Sequence, residues 1–411
     1  MDPTLDIIKE QVIDFKQYKW LVSSCLQKSL RRGRYDLAES YVRFLWEHDR
    51  NYITYRFGTI LAEDVGIANL PLVKEYLDTK LGKKAIDEKG GLDFILKITK
   101  DACESVKDRS SCDSAYLCSY YNLHNPENKT YEDLFADPKE HYIDRINAGW
   151  AILGGNKFNN PQLDYLPKMP SSLEDSTKEI IVDNHDTSNI VVDKDKDNVK
   201  PYLELVNKLT SSELANIVEN AYRTQIENIS LGMPIIYDRL QHESQNSKES
   251  KIQVGDVIEH NYVKEEAYFH KPTGLHFISA GIDGHTREGK SVYYQFLKSK
   301  NSFVDYLKSK NVPDEQYMLI FSHCMFRVEG HEVNKRLYFP TAVEVMRDCE
   351  SVVLNLKANR DDLDFSILKK AILEAIPTLN KMREQQLVKS PVPMMDKPEP
   401  KTPKKSKKNI V

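Results

Sequence analysis

The chain has 411 residues, which is long enough for two or three domains with ordinary hydrophobic cores. Its formal net charge of −4 excludes binding to nucleic acid through the charge of the whole molecule, so any such binding needs a local basic patch. No run approaches the roughly eighteen consecutive apolar residues of a membrane-spanning helix, which predicts a protein without a membrane segment.

The first predicted element is a hairpin of two helices. Apolar residues recur at helical spacing on both sides of Gly33: Leu21, Val22, Cys25, Leu26 and Leu30 before it, and Leu37, Ala38, Tyr41, Val42 and Leu45 after it. Gly33 can take the left-handed conformation that closes a helix, and Arg31 and Arg32 suit the negative end of the helix dipole. A third apolar stripe runs from Ile53 to Val65, and Pro71 suits the first turn of a fourth helix.

Glu63 and Asp64 lie at the predicted end of the third helix, where two adjacent carboxylates repel each other and oppose the helix dipole. Two interpretations follow. The carboxylates form a cap or a salt bridge within the domain, with Arg43 or Arg56 as candidate partners, or they contact another subunit or a ligand.

Two segments carry a resemblance to a known family. Ser24–Gly33 reads Ser-Cys-Leu-Gln-Lys-Ser-Leu-Arg-Arg-Gly, and Leu61–Asn69 reads Leu-Ala-Glu-Asp-Val-Gly-Ile-Ala-Asn. They resemble the S-x-L-x-K-S-x-R-x-G and S-E-D-V-G-x-A-[ND] patterns of the helical domain that follows the ATPase core in RarA/MgsA-type, clamp-loader-clade AAA+ ATPases. The resemblance covers about residues 20–75. The residues upstream of Trp20 are too few for an ATPase core, so we expect a standalone helical collar, encoded by a phage.

The resemblance implies assembly rather than catalysis, because in the family this domain joins subunits around a ring and the proteins act on DNA. It therefore implies a homo-oligomer that contacts DNA, with a polymerase or replication proteins as its protein partners. The interface residues expected from the signature are Arg31, Arg32, Glu63 and Asp64. Trp46 is added because the second helix carries apolar side chains on more than one face, which is more than a small bundle needs to bury.

The remaining chain divides by composition into further regions. Residues 1–150 are predicted to form the helical domain, and residues 151–200, polar and rich in Asp, Asn and Pro, a flexible linker. Residues 201–385 are predicted to form a second domain of mixed helix and strand, and residues 386–411 a disordered tail rich in Lys and Pro. The fold class is therefore mainly α with a smaller α+β part.

The basic tail permits two interpretations: a solvated terminus, or an arm that gains affinity for phosphates by releasing counterions. Its candidate nucleic-acid contacts are Lys401, Lys404, Lys405, Lys407 and Lys408.

Gly284–Ser291 matches the phosphate-binding pattern G-x-x-x-x-G-K-[ST], with Gly284, Gly289, Lys290 and Ser291 as its signature residues. A predicted strand at Phe277–Ile282 and a helix after Ser291 fit that pattern. Two features oppose a phosphate-binding loop. The carboxylate of Glu288 would lie beside the phosphates, and no apolar strand that ends in Asp follows to help hold magnesium. The candidate strand, Tyr317–Phe321, is followed by Ser-His instead. An NTPase is thus the alternative function.

The same turn has two further interpretations. Asp283–Lys290 resembles a D-x-H-T-x-x-G-[KR] stretch of phage-encoded proteins that carry this helical domain. Arg287 and Lys290 would then contact an anion or nucleic acid at a helix N-terminus. Otherwise the turn only caps a helix, with Thr286 as N-cap and Gly289 permitting a close approach.

No catalytic or metal-binding pattern emerges. The spacings of Cys103, Cys112, Cys118 and His124 lack the C-x-x-C pairs of structural zinc sites, which favours buried free thiols, and no cofactor is predicted. Six cysteines without a signal peptide indicate a reducing compartment, the cytoplasm or nucleoid of a host cell. The sequence predicts a non-enzymatic accessory protein of DNA replication, recombination or transcription.

Overall fold

The computed structural model describes residues 15–79, 81–120, 129–137, 139–152, 257–259, 266–337 and 340–389. Helices make up most of this part of the chain, and short strands form a small β component, which confirms the predicted fold class. Residues 153–200 of the predicted linker and residues 390–411 of the Lys-rich tail lie outside the described residues. The last helix continues to Val388, three residues into the segment predicted as tail.

The N-terminal region is a succession of helices. Their bounds are α1 Phe15–Arg31, α2 Tyr35–His48, α3 Arg50–Ile60, α4 Leu70–Leu77, α5 Lys83–Glu88, α6 Leu92–Glu104, α7 Ser110–Tyr120, α8 Tyr131–Ala136 and α9 Tyr142–Ile152. Gly33 separates α1 from α2 at φ +68°, as predicted. Asp49 and Asn69 cap α3 and α4 by accepting from backbone N–H groups, and Pro71 lies in the first turn of α4, also as predicted.

Glu63 and Asp64 lie in a π-helical turn, Leu61–Val65, which continues α3 and ends at Gly66 with φ +52°. Such a turn inserts an extra residue into the helical repeat and redirects the side chains that follow. Here it directs Asp64 inward, where the side chain is fully buried.

The C-terminal region adds strands β3 Ala267–His270 and β4 Leu275–Ile278, followed by helices. The helices are α10 Arg287–Lys298, α11 Ser302–Ser309, α12 Tyr317–Val328, α13 Pro340–Ala358 and α14 Phe365–Val388. Strands β3 and β4 form an antiparallel hairpin. The strand considered at Tyr317–Phe321 is wrong, because these residues open α12, whose buried face includes Ile320, Phe321 and Cys324 at helical spacing.

A second small sheet joins distant parts of the chain. Its strands are β1 Lys107–Asp108, β5 Lys335–Leu337 and β2 Val257–Glu259, in the order β1-β5-β2. Strand β1 pairs with β5 in parallel, and β2 pairs with β5 in antiparallel orientation. The sheet therefore links the N-terminal helices to the segment between α12 and α13.

Two hydrophobic clusters form the core. The first contains the apolar faces of α1–α4 and α6 together with Phe277, Ile278, Leu337 and Val353. The second lies among α10, α11, α12 and α14. The first cluster thus contains residues from both sides of the domain boundary predicted at residue 150. That domain boundary stays a prediction.

Candidate functional site

Asp64 is the centre of a buried charge network. Its carboxylate accepts hydrogen bonds from Arg31 Nε at 2.6 Å, from Gln27 Nε2 at 2.8 Å and from Arg109 Nη1. Burial alone would raise the pKa of Asp64, but the charges of Arg31 and Arg109 outweigh burial and hold this pKa below its usual value. The network joins α1, the π-helical turn and the start of α7 around one ionised carboxylate.

Asp113 on α7 is the centre of a second buried network. Arg327 of α12 donates to its carboxylate at 2.7 Å, and Arg336 of β5 donates at 2.5 Å. The Cys349 thiol of α13 donates to the backbone carbonyl of Asp113 at 2.8 Å. Burial would raise the pKa of Asp113, but the charges of Arg327 and Arg336 dominate and lower it. Three elements of the C-terminal region are thereby attached to a single N-terminal helix.

The arginines of the family-like segment also reach across the molecule. Arg31 Nη1 donates to the Gly330 carbonyl at 2.5 Å, and Arg32 Nη2 donates to the Glu329 carbonyl at 2.8 Å. The Glu329 carboxylate in turn accepts from Arg383 of α14 at 2.5 and 2.9 Å. The side chains of Arg31, Arg32, Glu329 and Arg383 are all buried. Their hydrogen bonds therefore connect helices of the same chain.

Lys28 forms a third ionic contact. Its ammonium group pairs with Asp283, which precedes α10, and donates to Ser24 Oγ at 2.9 Å. Asp283 Oδ2 also lies 3.1 Å from His285 Nδ1, and the His285 side chain is 76% exposed. Burial lowers the pKa of Lys28. Burial would raise the pKa of Asp283, but the charge of Lys28 outweighs it and holds this pKa well below its usual value.

A cleft of about 480 Å³ opens beside these networks. Among its lining residues are Lys28, Glu63, Tyr116, Tyr120, Asp283, His285, Ser322, Phe326, Glu329 and Lys357. Two of them, Lys28 and Glu63, belong to the family-like segments. The volume falls in the range of small-molecule sites, which is roughly 300–1,000 Å³.

One wall of the cleft is aromatic. The ring centroids of Tyr116 and Tyr120, one turn apart on α7, are 5.4 Å apart, and Phe326 of α12 lies 4.7 Å from Tyr116. Tyr120 remains 40% exposed. Lys357 of α13 donates to the Tyr116 hydroxyl at 2.6 Å, and its ammonium lies 4.3 Å from the centre of the Tyr120 ring. Burial lowers the pKa of Lys357 to about 8.

The turn Gly284–Ser291 caps α10. Thr286 Oγ1 accepts from Gly289 N at 3.0 Å and donates to the Asp283 carbonyl at 2.8 Å, which confirms Thr286 as the N-cap. A Cβ on Gly289 would lie 1.9 Å from the Asp283 carbonyl oxygen, so the close approach is confirmed as well. Ser291 Oγ is bonded to Gln386 of α14 at 3.1 Å.

The capped turn lacks two features that the phosphate-binding alternative needs. The preceding strand, β4, belongs to an antiparallel hairpin rather than to the parallel sheet of a strand–loop–helix unit. The loop is also closed on itself, because the Gly289 N–H is already bonded to Thr286 and Glu288 is buried beside it. Arg287 is half-buried and Lys290 exposed on the first turn of α10.

The predicted interface residues occupy different environments. Arg31, Arg32 and Asp64 are buried within the chain, and Glu63 is half-buried. Trp46 is half-buried and stacked by the Arg50 guanidinium, 4.1 Å from its ring. The predicted salt bridge partners of Asp64 were wrong: Arg43 pairs with Glu39, and Arg56 donates to Gln27.

The cysteines are free, as predicted, and the thiols other than that of Cys112 are buried, while Cys112 is half-buried. Within the described ranges, no three acidic, histidine or cysteine side chains are grouped so that they could hold a metal ion. The five candidate lysines of the tail lie outside the described residues.

Sequence reasoning missed the aromatic wall and the partners of the two carboxylate centres. Tyr116 and Tyr120 are spaced four residues apart, which was the one local signal available. Arg109, Asp113 and Lys357 are ordinary charged residues in the sequence, and their roles depend on contacts between distant segments.

Comparisons with known proteins give no relative. No family model, no curated protein and no solved structure matches the chain. In the part of the chain that the structure describes, no helix has the length and apolar character needed to cross a membrane.

Proposed function

We propose that this protein is a non-enzymatic accessory factor of DNA metabolism that binds nucleic acid. The observation that carries the proposal is that the turn before α10 lines the aromatic cleft and continues into two basic residues. Asp283, Gly284 and His285 line the cleft, and Arg287 and Lys290 follow them directly on α10. Phosphates bind arginine and lysine, while bases stack on aromatic rings, so the two features together suit a nucleic-acid strand.

The family-like segments support the same proposal. Lys28 and Glu63, which the resemblance singles out, both line the cleft, and Arg31, Arg32 and Asp64 fix the helices around it. Buried, paired charges hold the surrounding side chains in one geometry. A cleft with walls already ordered in this way loses less conformational entropy when a ligand binds. Replication, recombination and transcription remain open as the process served.

The Lys-rich tail is proposed to add phosphate contacts through Lys401, Lys404, Lys405, Lys407 and Lys408. The position at which the tail leaves helix α14 supports this proposal. Helix α14 ends at Val388, and Gln386 in its last turn is bonded to Ser291 and Gln295 of α10 at 3.1 and 3.2 Å. The tail therefore begins close to the turn that carries Lys290.

Salt dependence of binding tests the proposal. For the whole chain on a fluorescent oligonucleotide, about six engaged tail lysines, the five named above together with Lys397, predict a slope of log affinity against log salt near −5 on duplex DNA, because each neutralised phosphate contributes roughly −0.9. Truncation after Val388 should flatten the slope, and the double variant Arg287→Ala/Lys290→Ala should weaken binding further. The matched control is Lys83→Ala/Lys84→Ala on α5, which removes two exposed charges away from the cleft. No binding by the intact protein at low salt would refute nucleic-acid binding.

We also propose that the protein forms a homo-oligomer and contacts a polymerase or replication proteins, in the cytoplasm or nucleoid of the host cell. The support is the resemblance, together with exposed aromatic surface on the N-terminal helices. Trp20 is 61% exposed on α1, and Tyr55 is exposed on α3. Sedimentation of the whole chain tests the assembly, and a mass equal to one chain at high micromolar concentration would refute it.

A further inference from the structure

We propose that the aromatic cleft receives one unpaired nucleobase of a nucleic-acid strand, with Tyr120 as the stacking surface. This inference rests on the nucleic-acid binding proposed above and names the part of the strand that the cleft recognises.

The cleft has room for a base but not for a duplex. Its volume of about 480 Å³ is that of a small-molecule site. A paired base is stacked inside its helix and reaches such a cleft only if it is extruded from the duplex, which costs the energy of its pairing and stacking. The site therefore favours single strands over duplexes.

The aromatic wall supplies the surface for stacking. Tyr116 is enclosed by neighbours, since its ring contacts Phe326 and stacks on His323 at 5.7 Å. Tyr120 is less enclosed and keeps 40% of its surface exposed at the end of α7. Tyr116 and Phe326 thus hold the wall in place, and the exposed part of the Tyr120 ring, beside the Lys357 ammonium, is the part left for the ligand.

The charge of the cleft selects a base rather than a phosphate. Three carboxylates and two lysines line it: Glu63, Asp283, Glu329, Lys28 and Lys357. Lys28 is already paired with Asp283, so the cleft offers no surplus of positive charge to an anion. The carboxylates, the ammonium groups and the Ser322 hydroxyl together provide hydrogen-bond acceptors and donors. The edge of a nucleobase also carries both kinds of group, so the two are complementary. The phosphates would remain outside the cleft, near Arg287 and Lys290.

Substitution of Tyr120 in the whole chain tests the inference. The probe is a short, fluorescent oligothymidylate, compared with a base-free strand of the same length by fluorescence anisotropy. Tyr120→Leu should lower affinity for oligothymidylate by about 5- to 150-fold, because stacking of one base contributes roughly 1–3 kcal/mol. Tyr120→Phe should retain the affinity. The matched control is Tyr131→Leu, which alters a tyrosine of the same exposure, 40%, on α8 and outside the lining of the cleft.

The outcomes separate this inference from the proposed function. Equal affinity of the wild type for the oligothymidylate and the base-free strand, with no effect of Tyr120→Leu, would overturn the base site while nucleic-acid binding stands. Free thymidine that displaces the oligonucleotide as effectively as unlabelled oligothymidylate would assign the cleft to a free nucleoside and overturn the strand. Absence of binding to either strand at low salt would refute the proposed function itself.

Discussion

Asp64 shows how a single side chain can determine the geometry around the cleft. Its carboxylate is fully buried and is compensated by Arg31, Arg109 and Gln27. Burying an ion costs several kcal/mol, and only well-placed partners offset that cost. The same arginines that satisfy Asp64 would be left as buried, uncompensated cations if the carboxylate were lost.

We expect Asp64→Asn to lower the free energy of unfolding by about 3–5 kcal/mol, because the substitution leaves buried arginines without their counterion. Urea titration followed by circular dichroism measures the change. The control is Glu39→Gln, which removes the charge of an exposed pair with Arg43 on α2 and should cost less than about 1 kcal/mol. Equal effects of the two substitutions would show that the network is not essential to the fold.

The stability difference between wild type and Asp64→Asn should depend on pH. The pKa of Asp64 is lower in the folded chain than in the unfolded chain, so its ion pairs stabilise the fold fully above the unfolded value of about 3.9. That contribution is lost as pH falls through the lower folded value. The stability difference between wild type and Asp64→Asn should therefore be constant from about pH 8 to 5 and decrease only in stronger acid.

At the scale of elements, the turn before α10 depends on Gly289. Its neighbour across the turn is the Asp283 backbone, and Asp283 is also the partner of Lys28. A side chain at position 289 would move Asp283 and with it the contact between α1 and the cleft.

Gly289→Ala is expected to destabilise the protein by about 1–3 kcal/mol, since the added Cβ would lie 1.9 Å from a carbonyl oxygen and the turn would have to shift. Differential scanning calorimetry measures the loss as a lower Tm. Gly82→Ala is the control, because its Cβ would lie 3.4 Å from its nearest neighbour, the Thr79 carbonyl, an ordinary contact distance. A variant at position 289 as stable as wild type would contradict the tight turn.

Local signals in the sequence predicted several elements correctly. Gly33, Pro71 and Thr286 each have a conformational or hydrogen-bonding role that depends on a few neighbouring residues, and all three occupy the predicted positions. The segment Tyr317–Phe321 was ambiguous, because a short apolar run suits a buried strand or a buried helix equally. Its continuation through Cys324 and Val328 makes it a helix of twelve residues.

The site was less predictable than the elements. The Asp64 partners Arg31 and Arg109 are separated from it by 33 and 45 residues, and Lys357 reaches Tyr116 over 241 residues. Contacts over such distances follow from tertiary packing, which spacing in one sequence does not encode. The proposed interface role of Trp46 and the proposed contacts of the tail lysines stay predictions.

At the scale of the whole molecule, the first hydrophobic cluster is completed by residues far from the N-terminal helices. The Tyr41 hydroxyl donates to the His276 carbonyl at 2.5 Å and accepts from Ile278 N at 3.3 Å. Gly281 approaches Cys25 so closely that an added Cβ would lie 2.2 Å from the thiol sulfur. The N-terminal helices therefore lack part of their core without the β3–β4 hairpin.

We expect a fragment of residues 1–152 to be much less stable than the whole chain, because Phe277 and Ile278 are removed from its core. Amide hydrogen exchange should show weak protection in α1 and α2 of the fragment. Adding a separate fragment of residues 257–389 should restore protection. The same fragment with Phe277→Asp should not, and full protection of the isolated N-terminal fragment would contradict the shared core.

The contact between Tyr41 and the β3–β4 hairpin also affects how the protein emerges from the ribosome. The bonded residues Tyr41 and His276 are separated by 235 positions. At about 5–20 residues per second, the ribosome needs roughly 12–47 s to reach the second partner after making the first. During that interval the apolar faces of α1 and α2 have no hairpin to cover them, and exposed apolar surface favours aggregation. The nascent N-terminal region is therefore expected to depend on chaperones until translation passes the hairpin.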